Sequence, residues 1–541
     1  MRARSILAVP LVLLVAGACP PAASAIAPLE RFGSGQGTAA GQLDNPSGIA
    51  VDPAGNVYVA DVQNRRVSVF SPQGGFLRAF GKDVVPGNAE TGLEVCTSAC
   101  QRGASGDGPG EINQPISLVF DAAGRLHVGE TANNRVSVFT STGTFLRAFG
   151  KDVVPGNGET GLEICTTACQ GGAAGTGAPG EFRSPDALAT DAADRLYVAD
   201  PPDSRIAAFS PGRSFLRAFG KDVVPGNLEA GFEVCTATCK AGAEGGGPGE
   251  LGRPVGLDTD AASRLYVADS LNSRVAVYSP ETSFVRAFGK DVVPGNADTG
   301  PEVCSTSCKQ GTAGSAAGEL TQPRGAAADT EGDVYVSEGL NRRVSVFTAE
   351  GAFLRAFGKD VVPGNAETGF EVCTAECKAG AEGSGPGELS LPQQLALDCR
   401  GAVYVVDGVN GVVQKFGEPG TQSPPCGGSS EPAEPSNEFS FGKVKKNKRK
   451  GTAKLTVEVP GPGELELART KKLKRSGEDA EAARKVKLTI RSRGMARKRL
   501  DAQGKARVNA RVAYIPTGGE PNTKSKRIKL KKRLRPRGSR R

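Results

Sequence analysis

Tryptophan is absent, histidine occurs once, methionine twice, and aromatic residues make up only 5% of the chain. A single histidine rules out a His cluster and disfavours zinc sites that mix both ligands. No C-x-x-C-H run is present to attach haem, and no Gly-x-Ser-x-Gly elbow to raise a nucleophilic serine. After the N-terminus no apolar run is long enough to span a bilayer. Glycine is abundant, at 73 of 541 residues, which suits short strands and tight turns better than long helices.

What is present is a repeat. The run from Phe76 to Asn88, FLRAFGKDVVPGN, returns almost letter for letter at Phe145, Phe215, Phe284 and Phe353. Its glycines, Gly81, Gly150, Gly220, Gly289 and Gly358, fall every 69 or 70 residues. So regular a period means an array of one supersecondary unit.

The first unit reads as four short strands. Gly48–Asp52 is an apolar run, and Asn56–Asp61 and Arg66–Phe70 alternate. Phe76–Phe80 closes the unit, and Pro53-Ala54-Gly55 and Ser71–Gly75 are turns. The pattern Pro-x-Gly-Ile-Ala-Val-Asp…Gly-Asn-Val-Tyr-Val-Ala-Asp…Asn-x-Arg-Val-x-Val-Phe resembles an NHL repeat. Six copies begin at Pro46, Pro115, Pro185, Pro254, Pro323 and Pro392. The resemblance covers roughly residues 29–417 and implies an all-β, six-bladed β-propeller. The sixth copy stops after three strands, so Leu29–Gly33, which reads like the missing fourth, is expected to pair into it and remove an open edge.

These repeats are longer than ordinary NHL repeats because five of six junctions carry an insert. The inserts are expected to emerge as loops on one face. Each contains a C-x-x-x-C pair: Cys96 and Cys100, Cys165 and Cys169, Cys235 and Cys239, Cys304 and Cys308, Cys373 and Cys377. With Cys399 and Cys426 these make twelve cysteines, read as six disulfides in an oxidising compartment, the last tying the linker to the propeller. Each insert bridge is read as a staple that holds a Gly-rich loop in one shape. Gly-Lys-Asp-Val-Val-Pro-Gly-Asn is unchanged in all five inserts while the strand cores have drifted. Loops normally vary more than cores. A shared recognition or packing role is therefore assigned to Lys82, Asp83 and Asn88, and to their counterparts. These are Lys151, Asp152, Asn157; Lys221, Asp222, Asn227; Lys290, Asp291, Asn296; and Lys359, Asp360, Asn365. The expected partner is a protein or glycan. No metal or cofactor is expected, since the insert carboxylates match no EF-hand spacing.

Asp61, Glu130, Asp200, Asp269, Glu338 and Asp407 end the second strand of each unit, and an arginine follows five residues later in all but the last. A carboxylate ring holding a cation is one reading. Own-blade ion pairs that fix the loop are the preferred one. Propellers of similar build include gluconolactonase-like hydrolases and lyases, several of which need histidine. Here His127 replaces the tyrosine found at Tyr58, Tyr197, Tyr266, Tyr335 and Tyr404 and reads as a strand residue. A channel enzyme is kept as the alternative function.

The ends differ sharply. Residues 1–25 read as a secretory signal: Arg2 and Arg4, an apolar stretch from Ile6 to Val15, and Ala23-Ser24-Ala25 for cleavage. The protein is thus expected to be secreted or at the cell surface. Ala16–Cys19 offers a rival lipobox with anchoring at Cys19. Residues 26–418 are the propeller and 419–438 a Pro/Gly/Ser-rich linker. From Phe439 onward 34 basic residues face 8 acidic ones. Stripes at Leu455/Val457/Val459, Val486/Leu488/Ile490 and Ala506/Val508/Ala510/Val512/Tyr514 resemble a small immunoglobulin-like β-sandwich over 439–531, before a basic disordered tail at 532–541. Its lysines and arginines either solvate the sandwich or adhere to anionic wall polymers or lipid. The acidic propeller makes nucleic acid an unexpected partner, and a monomer is expected.

Overall fold

The computed structural model describes residues 26–88, 91–156, 161–227, 231–296, 300–365, 368–419, 438–461, 463–468, 470–474, 476–480, 484–516 and 522–533. The expected signal, Cys19, Asn157, Cys426, most of the linker and the tail beyond Arg533 lie outside these residues.

The repeats form antiparallel sheets. In the first, the order is Pro46–Val51, Val57–Asp61, Arg66–Phe70, Phe76–Lys82, then Leu93–Cys96. Four more five-stranded sheets repeat it. The fifth strand corrects the expectation that the insert is all loop. Phe80 stands opposite Val95 and Gly81 opposite Glu94, so the insert pairs the edge that Phe76–Lys82 would otherwise expose.

The sixth sheet has four strands, and its outermost is the N-terminal Ala27–Phe32 beside Val412–Gly417, with Phe32 opposite Val413. The innermost strand of each sheet touches the next, and Pro46–Val51 touches both Pro115–Phe120 and Pro392–Leu397, so the succession returns on itself. An aromatic pair spans every junction: Phe80–Phe139, Phe149–Phe209, Phe219–Tyr278, Phe288–Phe347, Phe357–Phe416 and Phe32–Phe70, with centroids 4.9–6.4 Å apart. Such pairs contribute about 0.5–1.5 kcal/mol each beyond their burial. In the five-stranded sheets the second and third strands, such as Val57–Asp61 and Arg66–Phe70, are wholly buried.

The C-terminal region has two sheets. Ser440–Asn447, Thr452–Val459 and Arg484–Ile490 form one. Ser476–Ala480, Gly463–Leu467, Lys505–Pro516 and Asn522–Lys531 form the other. The three apolar stripes meet Leu465, Leu467 and Leu530 in one core. A helix at Gly494–Gln503, unanticipated from the sequence, buries Ala496 and Leu500, one turn apart.

Candidate functional site: the insert ring and the channel

Each invariant insert residue has a local task. At Gly81 a Cβ would sit 2.7 Å from the Arg65 carbonyl, and the equivalent glycines meet the same contact at 2.6–2.8 Å, so no side chain fits there. Asp83 and its counterparts have φ of 50–54°, in the left-handed region that Asp tolerates better than most. The Asp83 carboxylate accepts from Gly92 N at 2.9 Å and closes the insert. Lys82 pairs with Glu111 at 3.1 Å. Lys151–Glu181, Lys221–Glu250, Lys290–Glu319 and Lys359–Glu388 repeat that pair at 2.9–3.6 Å.

Asn88 donates to Glu94 at 2.5 Å, and Glu94 accepts from Val85 N at 2.8 Å. Asn227, Asn296 and Asn365 make the same bond to Glu233, Glu302 and Glu371. The polar groups assigned to recognition thus hold the insert in shape. Among its described residues the insert turns outward Pro86–Asn88, Val95 and the residues between the cysteines, Thr97, Ser98 and Ala99, along with several positions of its second half such as Arg102 and Asp107.

All five C-x-x-x-C bridges form: Cys96 with Cys100, Cys165 with Cys169, Cys235 with Cys239, Cys304 with Cys308, and Cys373 with Cys377. They are more than the loop staples expected from the sequence, because both cysteines of every bridge are buried. The first cysteine ends the fifth strand, where Cys96 stands opposite Ala79 of the fourth and so turns its sulfur into the sheet's packing. Cys100 packs with Ala79 and Val84, Cys169 with Ala148 and Val153, and Cys377 with Ala356 and Val361, each in a small satellite core. Cys239 and Cys308 instead join larger cores that include strands of the neighbouring sheet. None of these cysteines is therefore placed to meet a ligand directly; their neighbours in the chain are. Cys399 is disulfide-bonded as well; Cys426, its expected partner, lies outside the described residues.

The second-strand acids are paired, not arranged around a cation. Arg66 Nε meets Asp61 at 2.9 Å, and Arg135–Glu130, Arg274–Asp269 and Arg343–Glu338 match it at 2.9–3.1 Å, all fully buried. Arg66 also donates to the carbonyls of Thr38, Ala39, Gln42 and Gln101. It therefore ties the link before its sheet to the insert after it. Burial still pushes Asp61 up to about 6 against the charge of Arg66.

Two repeats depart from this pattern. In the third, Arg205 faces Asp203 at 3.6 Å. Asp203 stands where the other repeats have Asn64, Asn133, Asn272, Asn341 and Asn410. Burial and the Asp203 charge push Asp200 up to about 7. In the sixth, Val412 replaces the arginine, and Gln414 takes over: its amide donates to the carbonyls of Gly385 and Glu388 and accepts from Gly387 N.

The channel is occupied by protein groups. Gln394, on the innermost strand of the sixth sheet, reaches across to the carbonyls of Asp186 and Val255 in the third and fourth sheets, at 3.2 and 3.4 Å. Beside it Arg324 donates to Gln393 at 2.9 Å. Burial, and then nearby Arg253, lower the Arg324 guanidinium's affinity for its proton. Burial raises the Asp186 carboxyl, which accepts from Ser184 Oγ at 2.6 Å. No sequence signal marks this cluster, because it falls on strand positions that differ from repeat to repeat. His127 is elsewhere: fully buried between the second and third sheets, against Asp121 and Arg213. Among the described residues no group of three His, Cys, Asp or Glu side chains could hold a metal ion, and no helix is long and apolar enough to cross a membrane.

Comparison with known proteins agrees with the repeat. No curated protein matches the chain. Among solved structures, virginiamycin B lyase from Staphylococcus aureus aligns over 70% of this chain and 97% of its own at 10% identity, TM-score 0.36. A gluconolactonase from Xanthomonas campestris aligns over 74% and 99% at 14% identity, TM-score 0.33. An auxiliary nutrient binding protein from Bacteroides thetaiotaomicron aligns over 72% and 76% at 10% identity, TM-score 0.38. These likenesses are too distant to assign chemistry. Residues 43–70, the first three strands of the first sheet and the link before them, match the NHL repeat.

Proposed function

We propose that the protein is an exported, six-bladed NHL-repeat propeller followed by an immunoglobulin-like β-sandwich, and that it acts as a non-enzymatic binding or scaffold module for protein or glycan. The observation carrying this reading is the fivefold display of one stapled shape. The invariant Lys, Asp and Asn side chains that are described bond within their inserts, while residues between the cysteines, such as Thr97–Ala99 and Thr236–Thr238, face solvent. Five weak copies on one face favour a multivalent ligand, where avidity exceeds the affinity of any single contact. The test is a glycan array and a surface-protein array probed with the full chain. A variant carrying lysine at Thr97, Ser98, Thr166, Thr167, Thr236 and Thr238 should lose its ligands steeply, with unchanged unfolding. Retention of every ligand by that variant refutes the reading.

The channel cluster of Asp186, Arg324, Gln393 and Gln394 favours a second reading, a gluconolactonase-like hydrolase or a lyase. That reading requires lactone or lyase turnover that disappears in Asp186→Asn, and it fails if no turnover is found.

A further inference from the structure

We propose that the outer face of the strand pair Lys505–Pro516 and Asn522–Lys531 binds a linear, flexible phosphodiester polymer. The inference rests on this face alone and stands apart from the reading of the inserts. Among the described side chains of Lys505–Pro516 those turned outward are Lys505, Arg507, Asn509 and Arg511; in Asn522–Lys531 they are Thr523, Ser525, Arg527, Lys529 and Lys531. Neither strand contains an Asp or Glu. The register places Lys505 opposite Lys531 and Arg507 opposite Lys529, with Arg527 facing Asn509 and Arg511 facing Ser525.

Directly opposed side chains of like charge destabilise a sheet. The acids of this region whose side chains are described are paired elsewhere: Glu458 with Lys485, Asp501 with Lys532 and Arg497, Glu438 with Lys524. A bound anion relieves the same repulsion. The array is one chain wide and extends about 20 Å, with outward positions about 7 Å apart along each strand and the strands about 5 Å apart. That shape fits a single extended polyanion. Arginine forks on it can grip phosphate oxygens in pairs. A bilayer is disfavoured because the outward positions named carry no apolar side chain to enter it. Duplex DNA is disfavoured because a face within a four-stranded sheet cannot enter a groove.

The test uses the full chain and synthetic poly(glycerol phosphate), titrated at 50–200 mM salt. Neutralising six phosphates should give a slope of log K against log salt near −4, by about 0.7 per phosphate on a single chain. Arg507→Glu and Lys529→Glu each place a carboxylate opposite a cation. Each should weaken binding at least about tenfold, yet leave the melting temperature equal or higher. Lys454→Glu/Lys487→Glu, exposed on the other sheet, changes the net charge twice as much and should weaken binding less than threefold. Equal or greater loss in that control shows a net-charge effect and overturns the proposal. So does tighter binding, per phosphate, to phosphatidylglycerol vesicles or to a 20-base-pair duplex. Absence of binding at 50 mM salt overturns it outright.

Discussion

Arg213 Nη2 lies 2.8 Å from His127 Nε2, although the two residues belong to neighbouring sheets. In the other repeats the His127 position is tyrosine, and four of those hydroxyls reach an aspartate at the end of the first strand: Tyr58–Asp52, Tyr197–Asp191, Tyr266–Asp260 and Tyr404–Asp398, at 3.1–3.3 Å. The Arg213 position is Gly74, Gly143, Thr282 or Gly351. The shorter imidazole leaves room that the arginine fills, and Arg213 accepts a left-handed φ of 65° to do so. The two departures compensate each other.

His127→Tyr alone should therefore overpack against Arg213, and Arg213→Gly alone should leave a buried gap. The double variant should recover most of the loss, with a coupling of about 1–3 kcal/mol in denaturant unfolding. Burial, then the Arg213 charge, hold His127 down at about 3. Between about pH 6.5 and 3 the unfolded chain binds a proton that the folded chain refuses, so this group's contribution to stability falls as pH falls through that window. At pH 5 the difference amounts to about 2 kcal/mol. The double variant, lacking the histidine, should show a smaller loss between pH 7 and pH 5. Purely additive single effects would show that the two residues are not coupled.

The third repeat carries a correctable flaw. Where Asn64 donates to Asp61 and to the Gly37 carbonyl at 2.8–2.9 Å, Asp203 can only accept, and it adds a second buried charge beside Asp200. Because Asp200 is raised to about 7, the folded chain keeps a proton that the unfolded chain releases near pH 4, and the contribution to stability falls as pH rises from about 4 to about 7. Asp203→Asn should stabilise the protein by about 1–3 kcal/mol at pH 8 and by less at pH 5. Chemical denaturation at the two pH values checks it; an equal gain at both would remove the Asp200 explanation.

Much of this architecture is legible in the period of 69 or 70 residues, in the alternation of Asn56–Asp61 and Arg66–Phe70, and in the truncated sixth copy that implicates the N-terminal strand. The acid–arginine spacing of five also reads through, because a β-hairpin places those two residues opposite each other, as Asp61 and Arg66 are. The insert residues do not. Invariance of Lys82, Asp83 and Asn88 carries the same signal whether a residue contacts a ligand or closes a turn, and only coordinates reveal Glu111, Gly92 and Glu94 as their partners. The cysteine spacing predicts the bridges but not their burial, since the same C-x-x-x-C pair serves a surface loop or a core. The fifth strand is hidden because four residues are too few to establish alternation, and the channel cluster because the position after each repeat proline, which supplies Asp186, Arg324 and Gln393, carries a different residue in every repeat.

Gln414 offers a way to separate the two jobs of the repeat arginine. It supplies the carbonyl contacts without a charge, while Asp407 is satisfied by Asn410 Nδ2 and the backbone N–H groups of Ser390 and Leu391, at 2.7–3.1 Å. Gln414→Ala should cost about 1–3 kcal/mol by stranding Gly387 N. Arg66→Ala should cost more, about 3–5 kcal/mol, since it also leaves Asp61 buried without its cation. Equal losses in thermal or denaturant unfolding would mean that the charge pair adds nothing beyond the carbonyl bonds.

Removal of one staple tests whether an insert is an independent unit. Closing so short a ring contributes about 2 kcal/mol by chain entropy, and the Cys96–Cys100 bridge packs in a satellite core apart from the sheet interfaces. In Cys96→Ala/Cys100→Ala, amides of Leu93–Cys96 should exchange about 30-fold faster while those of Val57–Asp61 keep their protection. Removing the Cys165–Cys169 or Cys373–Cys377 bridge should act alike, since each also sits in a satellite core. The competing outcome has a definite route. Gln101 follows Cys100 directly, and its carbonyl accepts from Arg66 at 3.0 Å. If the bridge holds that carbonyl in place, loosening it reaches the buried Asp61–Arg66 pair, and protection should fall in Val57–Asp61 and Arg66–Phe70 together. Exchange confined to the insert would make it a replaceable display loop; exchange spreading inward would make it a part of the sheet it covers.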